Sequence, residues 1–232
     1  IHNIFLNNTL YMTQKFTILF DLDGTLIDTA PDLIRAHNHV MKKFGYPTKT
    51  LGELKNAVGR GAKAMMAKAN GQWKWFDEKI QNEMTDEFLS FYGKNIYHDS
   101  KLINGVKEFL SWCKNENISM AVCTNKTEHL AVDLLKKIGI YDYFEYVAGY
   151  NTYEYCKPDP RHLTTTIEIL EGEINKSIMI GDSETDANAA KAAEIPIILL
   201  KYGYTEKKSD EIYHNHLVKD FVGIEKIITE YL

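Results

Sequence analysis

The sequence is poor in cysteine. Among 232 residues there are three, Cys113, Cys123 and Cys156. Because their number is odd and their spacing wide, neither a disulfide framework nor a zinc-binding pattern fits them. Such usage is typical of proteins in a reducing compartment, so we expect this protein to be cytoplasmic.

Long apolar runs are also missing. No stretch approaches the ~20 consecutive apolar residues that a membrane span needs, and residues 1–11 lack the basic start and apolar centre of a signal peptide. Met12 directly precedes the first credible strand. We therefore interpret residues 1–11 as a tag or an upstream extension that is disordered, and we expect no membrane partner.

Positive charge is in the minority. The 27 Lys and Arg residues face 32 Asp and Glu residues, which gives a formal net charge of -5. Without a basic stripe to replace counterions, a nucleic acid is not an expected partner. The composition, 44% hydrophobic and 25% charged, is that of a globular protein with one large domain or a medium domain that carries an insert.

Five short apolar runs are candidates for buried strands, and helical periodicity follows them. The runs are residues 16–20, 118–123, 144–148, 177–180 and 195–200. Strand–helix alternation of this kind predicts an α/β fold with a doubly wound parallel sheet. In such sheets ligands bind at the carboxyl ends of the strands.

Residues 29–103 interrupt this alternation with helical patterns and no strand candidate. Pro31 suits the first turn of a helix, and Thr50 with Glu53 has the form of a capping box. A third apolar stripe consists of Phe76, Ile80, Met84, Phe88 and Phe91. We interpret residues 29–103 as a small all-helical cap, hinged near residues 28–30 and 102–105. Residues 12–28 and 104–232 then form the α/β catalytic core.

Two carboxylates, Asp21 and Asp23, directly follow the first predicted strand. In extended backbone a spacing of two places both on the same side. Two carboxylates at such a short distance raise each other's pKa unless a cation lies between them. The pair predicts a divalent metal site, a catalytic dyad or both, and an Asx-type turn is the purely structural alternative.

Polar residues also follow three other predicted strands. They are Thr124 and Asn125 after the second, Lys157 in the loop after the third, and Gly181, Asp182 and Asp186 after the fourth. Each has an ordinary explanation by itself, as an N-cap, a solvated lysine or a first-turn acid. Because the carboxyl ends of parallel strands meet at one edge of a sheet, we expect these side chains to converge.

These residues, in this order, resemble the motifs of the haloacid dehalogenase-like (HAD) phosphatase superfamily from Met12 onward. The four motifs are Asp21-x-Asp23-Gly24-Thr25, Thr124, Lys157 and Gly181-Asp182-x3-Asp186. The position of the predicted insert matches the small helical cap of that superfamily. Within it, the chain is most similar to bacterial phosphoglycolate phosphatases, in residues 28–32, 58–62, 124–126, 189–193 and 202–204.

The resemblance implies a Mg²⁺-dependent phosphatase that forms an aspartyl-phosphate. Asp21 is the implied nucleophile, and Asp23 is the implied general acid and base. Asp21, the backbone carbonyl of Asp23, and Asp182 are the implied ligands of Mg²⁺, which prefers oxygen. Asp186 is implied to orient Asp182 or a metal-bound water from behind.

The remaining motif residues are implied to bind the phosphoryl oxygens. They are the amides around Gly24, the side chains of Thr124 and Asn125, and Lys157, which also takes part in catalysis. For Lys126, which follows this group, the start of the next helix is a sufficient explanation.

The identity of the substrate rests on the cap. A closing cap excludes polymers, so we expect a small phosphorylated metabolite. The resemblance to bacterial phosphoglycolate phosphatases implies 2-phosphoglycolate, which would yield glycolate and phosphate. Arg60, between two glycines, has a guanidinium fork that suits a carboxylate, with a solvated arginine as the alternative. The other functions left open are a phosphatase for a sugar phosphate, nucleotide or pyrophosphate, a sugar phosphomutase, and a non-catalytic phosphate-binding protein.

Overall fold

The computed structural model describes residues 15–59, 61–69, 78–205 and 207–232, and a six-stranded parallel sheet forms its centre. The strands, numbered in chain order, are β1 (Thr17–Phe20), β2 (Ile27–Asp28), β3 (Lys101–Leu102), β4 (Ser119–Cys123), β5 (Tyr146–Ala148), β6 (Ser177–Gly181), β7 (Ile197–Leu200) and β8 (His216–Val218). The order in the large sheet is β5-β4-β1-β6-β7-β8, and all its pairs are parallel.

Helices cover both faces of this sheet. The helices in the described residues are α1 (Ala30–Lys43), α2 (Leu51–Val58), α3 (Ala62–Ala69), α4 (Glu78–Lys94), α5 (Val106–Asn115), α6 (Glu128–Ile138), α7 (Arg161–Ile169), α8 (Glu184–Ala192) and α9 (Ile224–Thr229). Of these, α5, α6 and α9 pack on one face of the sheet, and α7 and α8 pack on the other. In β1, Ile18 and Phe20 belong to one apolar cluster and Leu19 to a second. A strand buried on both faces has no polar side, which explains its continuous apolar sequence.

All five predicted strands are present, with bounds within two residues of those expected. The predicted doubly wound α/β fold is confirmed. A sixth strand of the sheet, β8, is not predicted from the sequence, and its three residues are only half-buried at the edge of the sheet. A short edge strand has too few residues to show an alternation of apolar and polar side chains.

Helices α1 to α4 form the insert between β2 and β3. The predicted capping box is present at the start of α2, where Glu53 Oε2 accepts a hydrogen bond from the Thr50 backbone N–H at 2.8 Å. The expectation that residues 29–103 hold no strand is wrong, because β3 pairs antiparallel with β2 at the junction with the core. Two residues per strand are too few to show a periodicity.

The apolar stripe predicted for the third cap helix is partly wrong. Met84 and Phe88 are buried in α4 as expected, but Ile80 is exposed, and Tyr92 rather than Phe91 is fully buried. Tyr92 lies one helical turn after Phe88, on the side of α4 that faces the interior. Phe76 and the predicted extension over residues 1–11 lie outside the described residues.

None of the helices in the described ranges combines the length and apolar character that crossing a membrane requires. All three cysteines are free thiols, as their spacing predicts.

Candidate active site

The carboxyl ends of β1, β4 and β6 lie side by side because these strands are neighbours in register. Phe20 pairs with Val122 of β4 on one side and with Ile180 of β6 on the other. Asp21 then donates its backbone N–H to the Ile180 carbonyl at 2.9 Å, which extends the pairing by one residue. The polar residues that follow these strands therefore converge at one edge of the sheet.

Three carboxylates from two of these strand ends form a compact acidic cluster. Asp21, Asp182 and Asp186 each place an oxygen within 4.8 Å of the others, and all three residues are buried. Burial, partly offset by the charge of Lys157, raises the pKa of Asp21 to about 7. Burial and then the neighbouring Asp21 charge raise the pKa of Asp182 well above its ordinary value.

Lys157 supplies positive charge to this cluster. Its Nζ lies 2.7 Å from Asp21 Oδ1 and 2.5 Å from Asp186 Oδ1. Burial lowers the pKa of Lys157, but the charges of Asp186 and Asp21 outweigh burial and leave the pKa above its usual value. The lysine is therefore cationic, and one cation against three carboxylates leaves an acidic centre that suits a divalent metal ion.

Asp182 is held in place by hydrogen bonds to both of its carboxylate oxygens. Thr25 Oγ1 donates to Oδ1 at 2.8 Å, and the Tyr204 backbone N–H donates to Oδ2 at 2.7 Å. Gly24 has a φ of 89°, and a Cβ at this residue would lie 2.5 Å from Asp182 Oδ2. The loop after β1 can therefore approach Asp182 only because this residue is glycine.

The amide of Gly24 is already used within its own loop. It donates to the Ile27 carbonyl at 2.8 Å. The phosphate-binding role predicted for this amide thus competes with an existing hydrogen bond, whereas the absence of a side chain at Gly24 has a clear structural purpose.

Both oxygens of Asp186 have protein partners. Oδ1 accepts from Lys157, and Oδ2 accepts from the Ser183 hydroxyl at 2.7 Å and the Ser183 backbone N–H at 3.1 Å. This capping box at the start of α8 fixes Asp186 behind Asp182. A carboxylate with both oxygens occupied is suited to orienting its neighbours.

The side chain of Asp23 pairs with Lys126, not with Lys157. Lys126 Nζ lies 2.8 Å from Oδ1 and 2.9 Å from Oδ2 of Asp23, and both residues are buried. Burial lowers the pKa of Lys126, but the Asp23 charge and then Tyr92 outweigh it, so its pKa lies above the usual value. Lys126 is thus a cation of the site and more than the start of α6, which begins at Glu128.

Thr124 and Asn125 contact the backbone of the two lysines that form these ion pairs. Thr124 Oγ1 accepts a hydrogen bond from the Lys126 backbone N–H at 3.2 Å. Asn125 Nδ2 donates to the backbone carbonyl of Lys157 at 3.0 Å and so ties the loop after β4 to the loop that carries this lysine. Asn125 Oδ1 has no hydrogen-bond partner in the described part of the chain.

A cavity of about 370 Å³ separates these residues from the cap. Its core wall includes Asp21, Asp23, Thr124, Asn125 and Lys126. Its cap wall includes Val58, Gly59, Gly61, Lys63, Met65, Leu89 and Tyr92. Arg60, the predicted cap residue, lies outside the described residues, although the glycines on both sides of it line the cavity.

The family model for haloacid dehalogenase-like hydrolases matches residues 18–200 of this chain. The chain belongs to this family. A phosphoglycolate phosphatase of Mesorhizobium japonicum is 35% identical over 216 residues, which is 93% of this chain and 95% of that protein. One of Agrobacterium fabrum is 36% identical, covering 92% of each chain.

Solved structures agree with this assignment. The crystal structure of a predicted phosphoglycolate phosphatase from Haemophilus somnus superposes with a TM-score of 0.87 at 28% identity, covering 93% of this chain and 99% of that one. The family and its relatives show that this HAD-like hydrolase is an enzyme, a phosphoric monoester hydrolase. The predicted resemblance, fold class and enzyme class are confirmed.

Three residues of the HAD-like site were not predicted to act there: Lys126, Thr25 and Tyr204. Thr25 belongs to the first motif and Lys126 follows Thr124 and Asn125, so their positions in the sequence could have indicated a role. Tyr204 contacts Asp182 through its backbone N–H, and no side-chain pattern predicts such a contact.

Proposed function

We propose that this enzyme hydrolyses 2-phosphoglycolate to glycolate and phosphate, with Mg²⁺ and through an aspartyl-phosphate on Asp21. One observation carries this proposal. Asp21 belongs both to the acidic cluster and to the wall of the cavity. A carboxylate in that position can face a substrate on one side and a metal ion on the other. The names of the relatives support the choice of substrate.

Asp21 and Asp182, with the backbone carbonyl of Asp23, are the proposed holders of Mg²⁺, and Asp186 orients them. The fit rests on three buried carboxylates that a single lysine balances only in part. When bound, Mg²⁺ supplies the positive charge that lets an anionic nucleophile approach an anionic phosphate.

In the first step a carboxylate oxygen of Asp21 attacks phosphorus and the bond from phosphorus to the ester oxygen breaks. Asp23, which is paired with Lys126, first takes up a proton from solvent. The leaving alkoxide then takes this proton from Asp23, which lines the same cavity. In the second step Asp23 takes a proton from water as the water oxygen attacks phosphorus. The bond from phosphorus to Asp21 then breaks, and free phosphate leaves.

Charge on the phosphoryl oxygens is balanced by donors that do not have to move. The Lys157 ammonium lies 2.7 Å from Asp21 Oδ1, and Thr124 and Asn125 line the cavity. The side chain of Asn125 is fixed by the hydrogen bond from its Nδ2 to the Lys157 carbonyl. Donors fixed before the reaction stabilise the transition state without a cost of reorganisation. We assign these three side chains to the phosphoryl group.

Arg60 is proposed to bind the carboxylate of the substrate from the cap, which its neighbours Gly59 and Gly61 support by lining the cavity. Replacing Arg60 with Ala should raise KM for 2-phosphoglycolate by at least roughly tenfold, because a charge-assisted pair would be lost. Steady-state kinetics measure this, and an unchanged KM would show that Arg60 points elsewhere.

The proposed function is tested by a screen of small phosphate monoesters, with Mg²⁺ and with a chelator. We expect release of free phosphate, fastest from 2-phosphoglycolate, and none with the chelator. The panel includes sugar phosphates, nucleotides and pyrophosphate, because the cavity volume alone admits several small esters. Faster hydrolysis of one of these would replace the proposed substrate.

A sugar phosphomutase of the same fold is the alternative function. The structure of a β-phosphoglucomutase from Clostridium difficile has a TM-score of 0.77 but only 20% identity, so this likeness shows the fold alone. Measuring the sugar isomer beside free phosphate separates the two reactions. Formation of an isomer without free phosphate would favour the mutase.

The compartment we propose is the cytoplasm. Cys113, Cys123 and Cys156 are free thiols, and two of them are buried. Unpaired cysteines in this number support a reducing environment. The acidic net charge likewise supports a small metabolite over a nucleic acid as the partner.

A further inference from the structure

Lys126 connects the core and the cap beside the proposed general acid. Its ammonium contacts both oxygens of Asp23 and lies 4.6 Å from the centre of the Tyr92 ring, which belongs to cap helix α4. Both Lys126 and Tyr92 line the cavity and are buried. The ammonium is therefore held from two sides, and Lys126 belongs to the wall of the cavity.

The Tyr92 hydroxyl is a second donor at this place. In the described part of the chain it has no hydrogen-bond partner of good geometry, although the Lys126 ammonium lies close enough to lower the pKa of Tyr92. Burial raises the pKa of Tyr92 to about 12, so the hydroxyl keeps its proton. A buried hydroxyl without a partner is unfavourable, and a ligand oxygen that reaches it through a small displacement of the cavity wall would relieve it.

We propose that Lys126 and Tyr92 together bind a carboxylate attached to the carbon that bears the ester oxygen. This binding does not depend on Arg60, which is proposed to reach the same carboxylate from the cap. This inference rests on the proposed function, in which Asp23 protonates that oxygen. In a phosphorylated 2-hydroxy acid, the carboxylate lies next to the ester oxygen. When the ester oxygen lies at Asp23, the carboxylate therefore lies close to the Lys126 ammonium, which contacts Asp23. The site then selects phosphate esters of 2-hydroxy acids over neutral esters of equal size.

The simpler explanation is that Lys126 only positions Asp23. Both explanations predict that loss of the ammonium slows the enzyme, but they differ in how the loss depends on the substrate. A residue that only positions Asp23 affects every ester alike. A residue that binds the carboxylate affects 2-phosphoglycolate more than 2-hydroxyethyl phosphate, which has the same length and no carboxylate.

The test compares kcat/KM for these two esters in Lys126→Met and Tyr92→Phe. Lys126→Met should lower the preference for 2-phosphoglycolate roughly 30-fold or more, because a hydrogen bond between charged groups is lost. Tyr92→Phe should lower it roughly tenfold, since one hydrogen bond to a charged group is lost. Tyr92→Phe keeps the ring under Lys126, so it remains informative if Lys126→Met folds poorly.

Lys136→Met is the matched control, because Lys136 lies 4.8 Å from the Tyr141 ring and is exposed. It should leave both values of kcat/KM unchanged. The inference is overturned if both esters slow equally in the two test variants, or if the unaltered enzyme shows no preference for the carboxylated ester.

Failure of the proposed function is recognised separately, by measuring binding without turnover. In the Asp21→Asn background, calorimetry with Mg²⁺ compares the affinity for the same two esters, with and without Tyr92→Phe. Preferential binding of 2-phosphoglycolate that Tyr92→Phe removes supports the carboxylate site even if no ester is hydrolysed. Equal affinities for both esters would refute it.

Discussion

Hydrogen bonds and close neighbours fix the orientation of the Asp182 carboxylate. Thr25 and the Tyr204 backbone N–H each donate to one oxygen. On the side of Gly203 there is no room for a side chain, because a Cβ there would lie 2.3 Å from both the Cβ and the backbone oxygen of Asp182. The acidic cluster therefore requires residues without a side chain at Gly24 and Gly203, because a Cβ at either position would clash with Asp182.

Gly203→Ala should therefore displace Asp182 and lower kcat/KM by about 100-fold, since a shift of about 1 Å in a reacting group has an effect of this size. Steady-state kinetics measure this. Gly52→Ala is the control, because nothing lies within 4 Å of a Cβ at that position. It should leave activity unchanged and stabilise α2 by up to about 1 kcal/mol. Full activity in Gly203→Ala would show that Asp182 has room to move.

Among the elements, helix α1 is attached to the returning chain by the side chain of Asp32. This carboxylate accepts backbone N–H groups from His98, Asp99 and Ser100 at 3.0 Å, and the Ser100 hydroxyl at 2.6 Å. Arg35 adds an ion pair at 2.8 Å. One buried side chain thus joins the first turn of the cap to the segment that leads back to the core.

Asp32→Asn should cost about 2–4 kcal/mol of unfolding free energy, because a buried carboxylate with several donors is replaced by an amide that clashes with some of them. Denaturant unfolding measures this. Asp133→Asn, which removes a surface ion pair with Lys137, is the control and should cost under about 0.5 kcal/mol. A similar cost for both variants would contradict the role given to Asp32.

The stability that Asp32 contributes should depend on pH in one direction. Burial raises the pKa of Asp32, but the hydrogen bonds from His98, Ser100 and Asp99 outweigh burial and leave it below 3.8, the ordinary value. The stabilisation is then complete above the ordinary pKa and disappears as the pH falls through the lower pKa of the folded state. The difference between Asp32→Asn and the unaltered protein should therefore shrink only in acid.

Across the whole molecule, two features meet at the cavity: a parallel sheet that gathers acids and a helical cap that faces them. The cluster places three buried carboxylates around one lysine. Because burial raises the pKa of Asp21 to about 7, its ionised form destabilises the metal-free fold increasingly as the pH rises from 3.8 toward that value. A divalent ion bound at the cluster should remove this destabilisation.

In the absence of metal, at about pH 8, Asp21→Asn should raise the melting temperature by roughly 2–4 °C for each kcal/mol of repulsion that is removed. Adding Mg²⁺ should stabilise the unaltered protein in a concentration-dependent way and the variant much less. Thermal scans with a chelator and with Mg²⁺ measure both effects. Equal stabilisation of the two proteins by Mg²⁺ would place the ion elsewhere.

The residues of the site that directly follow strands of the sheet could be predicted from the sequence, because the fold alone brings them together. Asp21, Thr124 and Asp182 follow adjacent parallel strands, so the position of each along the chain implied their convergence. The pairing of Lys126 with Asp23 could not be predicted, because the direction of a side chain in a loop has no periodicity. The same holds for the hydroxyl of Tyr204, which accepts from the Ala30 backbone N–H and donates to Asp28.

The most direct test of the account is to trap the covalent intermediate on Asp21. Enzyme and Mg²⁺ are mixed with 2-phosphoglycolate that carries a radiolabelled phosphoryl group, quenched in acid within one turnover, and digested. We predict a label that hydroxylamine releases, on the peptide that contains Asp21, and no label in Asp21→Asn. Rapid turnover with no labelled protein, or a label on another residue, would contradict the account.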